Sequence, residues 1–176
     1  MTESLKTGIT KEKEPTIIIR GVIAVVLSQD GKILVAQETE DKPHMDKKRG
    51  DWTIPAETIE KGETELEAIL RLIKEEVGEN EDITCRPEED WIGDYQIGVE
   101  MEIWGRAYLL HFNGTSKTPR NFVAERGEMI NHRWINPEEI INMPRRKGVI
   151  EIVNDFQSGQ RGIIREECSA GFRQSQ

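Results

Sequence analysis

A chain of 176 residues suits one domain and is long enough to bury a sizeable core. Its 24 basic residues face 33 acidic ones, and the net charge of −9 argues against a nucleic-acid polymer or an anionic membrane surface as the main partner. A small phosphorylated ligand stays open, because a bound metal can supply the local positive charge that the chain lacks.

Residues 1–15 are polar and mixed in charge, and they read as a flexible arm without the apolar core of a secretory signal. Residues 17–27 are rich in β-branched side chains and predict a strand. Arg20 interrupts this stretch, which is too short to span a bilayer. Ser28-Gln29-Asp30-Gly31 is a turn signal, and residues 32–37 resume as a second strand, so a hairpin is expected. Residues 38–51 form a charged loop without periodicity. It is either a solvated surface or, through Lys42, His44, Lys47, Lys48 and Arg49, a contact for phosphate.

The best-defined element comes next. Thr64-Glu65-Leu66-Glu67 is a capping box, and Gly78 stands where the glycine after a helix belongs. Between them Leu66, Ile69, Leu70, Ile73 and Val77 recur at helical spacing and predict one narrow apolar stripe. Strands are expected near 91–97, 103–112 and 132–135. Asn136-Pro137-Glu138-Glu139 starts a short helix. A last helix over 145–158 carries Val149, Ile150, Ile152, Val153 and Phe156 on its apolar face, and Gly159 ends it. This order predicts one α/β domain over 16–160 with a C-terminal tail over 161–176.

Glu75 and Glu76 occupy the final turn of the first helix, where the dipole disfavours each by roughly a few tenths of a kcal/mol. A hard divalent cation would reverse that, since Mg²⁺ is held by one or two carboxylates plus substrate phosphates. Acids at helix ends are also ordinary in an acidic chain. Trp52, Trp91, Trp104 and Trp134 serve either the core or a stacked nucleobase. Trp104, Arg106, Tyr108 and Leu110 share one strand face, so Arg106 is either a phosphate contact or a salt bridge. His44, His111 and His132 show no metal spacing. Cys85 and Cys168 form no disulfide framework, which fits a reducing compartment and a cytoplasmic location, and neither has a neighbour that would activate it.

The segment 52–78 resembles the Nudix box, in which Gly, five residues, Glu, seven residues, and Arg-Glu-aliphatic-any-Glu-Glu-any-Gly-aliphatic form a loop–helix–loop. Glu63, Arg71, Ile73, Glu75, Glu76 and Gly78 match six of the nine defined positions at the right spacing. Pro55, Gly62 and Ala68 accompany them. The layout is similar to the family's over 17–142. Glu57 stands at the leading glycine, Leu72 at the glutamate after the arginine, and Glu79 at the last aliphatic position.

The resemblance implies a Nudix-type α/β/α sandwich with a mixed sheet. It implies that Glu75 and Glu76, with the main-chain carbonyl of Ala56, hold Mg²⁺ or Mn²⁺, and that Glu63, Arg71 and Gly78 brace the loop. The metal would polarise a diphosphate and help activate water. Glu125 or Glu128 would supply a base, unless that loop is simply solvated. Trp104 and Arg106 are the candidate substrate contacts. The expected ligand is a small nucleotide, with neither a nucleic-acid polymer nor a membrane as partner, and a homodimer follows by resemblance alone. On the wheel Leu72 lies off the apolar stripe and beside Glu76, which reads as a ligand position that has been lost. Two functions result: hydrolysis of a nucleoside diphosphate derivative, weakened by Leu72, or a binding or regulatory module that kept the cleft without turnover.

Overall fold

The computed structural model describes residues 18–78, 82–97, 102–119, 122 and 129–165. Its strands are β1 (Ile18–Leu27), β2 (Ile33–Glu38), β3 (Trp52–Thr53), β4 (Ala56–Thr58), β5 (Ile83–Thr84), β6 (Trp91–Gln96), β7 (Glu102–Phe112), β8 (Met129–Ile135) and β9 (Ile163–Arg165). The α-helices are α1 (Glu65–Leu72), α2 (Pro87–Asp90) and α3 (Val149–Gln157). Among the described residues the strands form one mixed sheet in the order β3-β2-β1-β7-β6-β9, with β4 also on β1, β5 on β7 and β8 on β2. β1 and β7 run parallel at the centre, while β1 and β2 form the antiparallel hairpin that the turn at Ser28–Gly31 predicts.

Alternation along β1 builds both halves of the core. Val22, Ala24 and Val26 face α1, whereas Ile23 and Val25 face α3. A strand covered on both faces reads as a continuous apolar run, which is how it appears in the sequence. Helices on opposite faces of the sheet make the expected α/β/α sandwich. No described helix is long and apolar enough to cross a membrane.

The capping box forms as its spacing predicts: the Thr64 hydroxyl accepts from Glu67 N at 3.3 Å, and Thr64 N donates to Glu67 Oε2 at 2.8 Å. The apolar face of α1 does not lie where the stripe puts it. Leu66 and Leu70 are 46% and 59% exposed, while Ala68, Ile69 and Leu72 are buried. Leu72 is fully buried among Val22, Val26, Leu34 and Leu110. The helix carries more apolar residues than one face can cover, so the pattern alone admits two faces. Beyond Leu72 the chain winds as a π turn over Ile73–Val77, where the 100° step no longer holds. Leu72 is therefore a core residue in this structure, on the covered face of α1 and not off it as the wheel places it. Gly78 has φ +99°, a backbone state open to glycine.

Two boundaries differ from expectation. Arg145 and Arg146 are not helical, because Trp52 N donates to Pro144 O at 2.8 Å and Arg146 N donates to Trp52 O at 2.9 Å. This bridge delays α3 until Val149, after Gly148 at φ +82°. At the other end, the segment read as a tail contributes β9, which pairs in parallel with β6. Arg165 grips buried Asp155 with two bonds of 2.7 Å, and the Tyr95 hydroxyl donates to the same carboxylate at 3.0 Å.

Leu72→Ala is expected to lower stability by about 2–5 kcal/mol, the usual range for emptying a buried leucine site. Leu72→Glu should cost more, because it buries a carboxylate without a partner. Urea unfolding measures both, and a Leu72→Glu chain as stable as the wild type would mean that this side chain faces outward.

Candidate active site

Arg71, on α1, is the hub of the box. Its Nε and Nη2 donate to the two carboxylate oxygens of Glu63, each at 2.9 Å, in a fork that ties the loop after β4 to the helix. Nη2 also donates to Thr58 O at 2.6 Å. Nη1 faces Glu57 Oε2 at 3.3 Å, Glu75 Oε2 at 3.6 Å and Glu60 Oε1 at 3.9 Å. Four carboxylates thus share one guanidinium. The hydrogen bonds from Arg71, then that from Glu60 N, pull the Glu63 carboxyl from 4.5 down to about 2. The same contacts raise the affinity of Arg71 for its proton.

Glu76 is 3% exposed and sits against β4, where Ala56 N donates to its Oε2 at 3.1 Å. Its main-chain oxygen lies 2.7 Å from His132 Nε2 on β8. Burial pulls the His132 pKa down, which favours a neutral ring donating to that carbonyl. Glu75 is buried beside it. The structure therefore brings together Glu75, Glu76 and the Ala56 main chain. It adds Glu57, which the sequence marks only as a departure from glycine: from β4 its carboxylate reaches the same Nη1 that faces Glu75.

Among the described residues no three His, Cys, Asp or Glu side chains converge as a metal cage. The donor chemistry nevertheless fits a hard divalent cation. Glu57, Glu75 and Glu76 are all carboxylates, and acids outnumber the one arginine they surround. Glu125 and Glu128 lie outside the described residues.

A cavity of about 170 Å³ opens beside Ala56 and Glu57, with Ile23, Ile97 and Ile103 in its walls. Lys42, Lys47 and Arg146 also line it. The charged loop is thus divided. His44, Lys48 and Arg49 are exposed, whereas the Lys47 ammonium meets buried Glu38 at 3.5 Å. Arg146, on the far side of Glu38 at 3.6 Å, is 6% exposed. The sequence gives Arg146 no special place, since it falls inside an expected helix. Its signal is the Trp52 bridge, a tertiary contact with no local pattern.

Trp104 and Arg106 stand elsewhere. Arg106 donates to both oxygens of Asp94 at 2.6 and 2.8 Å, pairs with Glu65 at 3.2 Å, and lies 4.8 Å over the Trp91 ring. This is the salt-bridge arrangement of the two that the strand face allows. Arg106 lines a separate cavity of about 290 Å³ on the α1 face, and Trp104 borders both cavities. Trp134 stacks on Phe112 in the core at 5.4 Å. Burial pushes the Cys85 thiol up to about 12, so it is inert, and Cys168 lies outside the described residues.

The Glu63 carboxyl titrates lower in the folded chain than in the unfolded one. Its contribution to stability is therefore complete above about pH 4.5 and disappears as pH falls through about 2. Arg71→Met should lower the urea midpoint at pH 7 and flatten its decline between those two pH values. Midpoints measured across that range check this, and an unchanged slope would remove Arg71 as the cause.

The family model of the NUDIX domain matches residues 18–156. The CTP pyrophosphohydrolase of Escherichia coli (strain K12) is 27% identical over 143 residues, which is 78% of this chain and 90% of that protein. The RNA pyrophosphohydrolase of Erythrobacter litoralis is 24% identical over 148 residues, covering 76% and 87%. The solved NUDIX hydrolase of Nitrosomonas europaea superposes with a TM-score of 0.64 at 20% identity, covering 83% of this chain and 93% of that one. The domain match over most of the chain, the Glu63–Arg71 fork and the paired glutamates before Gly78 lead to one assignment: this chain belongs to the Nudix (MutT-like) hydrolase family.

Proposed function

We propose that this chain is a pyrophosphohydrolase that cleaves a diphosphate linkage in a nucleoside diphosphate derivative with the help of Mg²⁺ or Mn²⁺. The observation that carries the reading is the place of Glu76: a buried carboxylate held against Ala56 N, where the box adjoins the cavity that Ala56 and Glu57 line. The E. coli relative acts on CTP by its name, which supports a nucleotide as ligand.

Glu75 and Glu76, with Glu57 beside them and the Ala56 carbonyl as a further oxygen, would hold the ion, which when bound polarises the diphosphate and lowers the pKa of water. The rest is done by the chain's own groups. Ala56 N and His132 fix Glu76 from both ends. Arg71 holds Glu57 and Glu75 side by side and keeps acids of like charge from spreading apart. Ile19, Ile23, Ile97 and Ile103 give the cavity an apolar side opposite its charged residues.

Two departures from the box, Glu57 at the leading glycine and Leu72 after the arginine, favour the second reading, a nucleotide-binding module without turnover. Incubation with Mn²⁺ or Mg²⁺ and a panel of nucleoside triphosphates, nucleotide sugars and dinucleotides separates the two. Phosphate-bearing products are expected, and Glu76→Gln should lower the rate by more than the roughly 10–100-fold that outer-shell partners cost. A ligand that raises Tm without any turnover would favour the binding module. An unchanged rate in Glu76→Gln would move the chemistry away from the box.

A further inference from the structure

His132 is aimed by an irregularity in its own strand. Val35 of β2 pairs with Arg133 and Gln37 pairs with Ile130, so Ala36 stands opposite two residues of β8, Asn131 and His132. That is a β-bulge, a device that re-aims side chains and is frequent beside active sites. Asn131 takes the left-handed backbone at φ +55°, which a non-glycine residue rarely adopts and asparagine tolerates well. Its side-chain amide donates to Gln37 Oε1 at 2.6 Å, which ties the bulge to β2.

The bulge delivers His132 to the end of the π turn. Gly78, at φ +99° and ψ 164°, leads the chain out of that turn. The last carbonyls of a helix have no donor within it. Glu76 O is one of them, and His132 Nε2, 2.7 Å away, is the donor that reaches it from the sheet. A carbonyl only accepts, so Nε2 carries the ring proton. One face of the ring is covered by Phe122, from the connection between β7 and β8. The two rings lie 5.2 Å apart with their planes 6° from parallel, and Trp134 meets Phe122 at 6.3 Å. Bulge and stack together hold one imidazole against one carbonyl.

The residue held by that carbonyl is the one whose carboxylate meets Ala56 N at 3.1 Å. Rotation of its peptide would swing the carboxylate off β4. We infer that His132 is a positioning residue for the metal-holding Glu76, kept in place by the Asn131 bulge and the Phe122 stack. The inference rests on the metal reading of Glu76 and adds to it the groups that set its orientation. Partners of this outer kind are worth about 10–100-fold in metal affinity.

The test is Mn²⁺ binding to the full chain, followed by loss of the free-ion electron paramagnetic resonance signal, which needs no turnover. His132→Phe keeps a flat ring for Phe122 but loses the donor, and it should weaken Mn²⁺ binding roughly tenfold or more. His132→Gln keeps an N–H donor and should recover most of that loss. A role in packing alone predicts the reverse, since glutamine fits the stack worse than phenylalanine. Phe122→Ala should weaken binding by a smaller factor on its own and add nothing in His132→Phe, because the stack acts through the imidazole. Urea midpoints show which variants fold. If His132→Phe does not, Phe122→Ala decides alone, and an unchanged affinity there overturns the inference. Unchanged affinity in folded His132→Phe, or a His132→Gln chain as weak as His132→Phe, also overturns it and leaves the metal reading standing. A wild-type chain that binds no Mn²⁺ overturns both.

Discussion

Arg71 is the constraint on which the site depends. One guanidinium clamps the loop to the helix through Glu63 and faces Glu57, Glu60 and Glu75. Without a cation at this point, the acids would repel one another and the loop after β4 would lose its anchor to α1. The fork to Glu63 is two-pronged and largely covered, which separates it from a surface ion pair of little worth. The position of Ala56, and with it the contact to Glu76, follows from that anchor because β4 is held between β1 and the braced loop.

The π turn over Ile73–Val77 is the second device. It lets Leu72 enter the core while Glu75 and Glu76, a few residues on, are buried toward β4 and Arg71. Close packing on the far side supports this. A Cβ on Gly21 would stand 2.8 Å from Glu57 O, so glycine there allows β4 to approach β1 closely.

Much of this was legible in the residues. The capping box at Thr64, the β1–β2 hairpin and the pairing of Glu63 with Arg71 depend on short spacings, which local physics fixes. The face of α1 was not legible, because Leu66 and Leu70 look as apolar as Ile69 and Leu72, and only the sheet decides which pair is covered. Arg146 was hidden for a related reason. Its neighbours Glu38, Met45 and Trp52 lie about a hundred residues away, and no periodicity announces a contact of that range. Glu57 reads in the sequence only as a departure from the box glycine, whereas its carboxylate meets Arg71, whose arrival from α1 no local pattern around Glu57 announces.

The clamp of Arg165 and Tyr95 on Asp155 has a bearing on where the folded unit ends. Chain removed beyond 160 would take away the cation and leave an interior carboxylate held by a phenol alone. A buried charge stripped of its counterpart costs about 3–5 kcal/mol, a large share of what a domain of this size has to spare. The last strand therefore acts as an electrostatic latch on α3, and shortening the protein at the family match's own limit of 156 would leave that latch open.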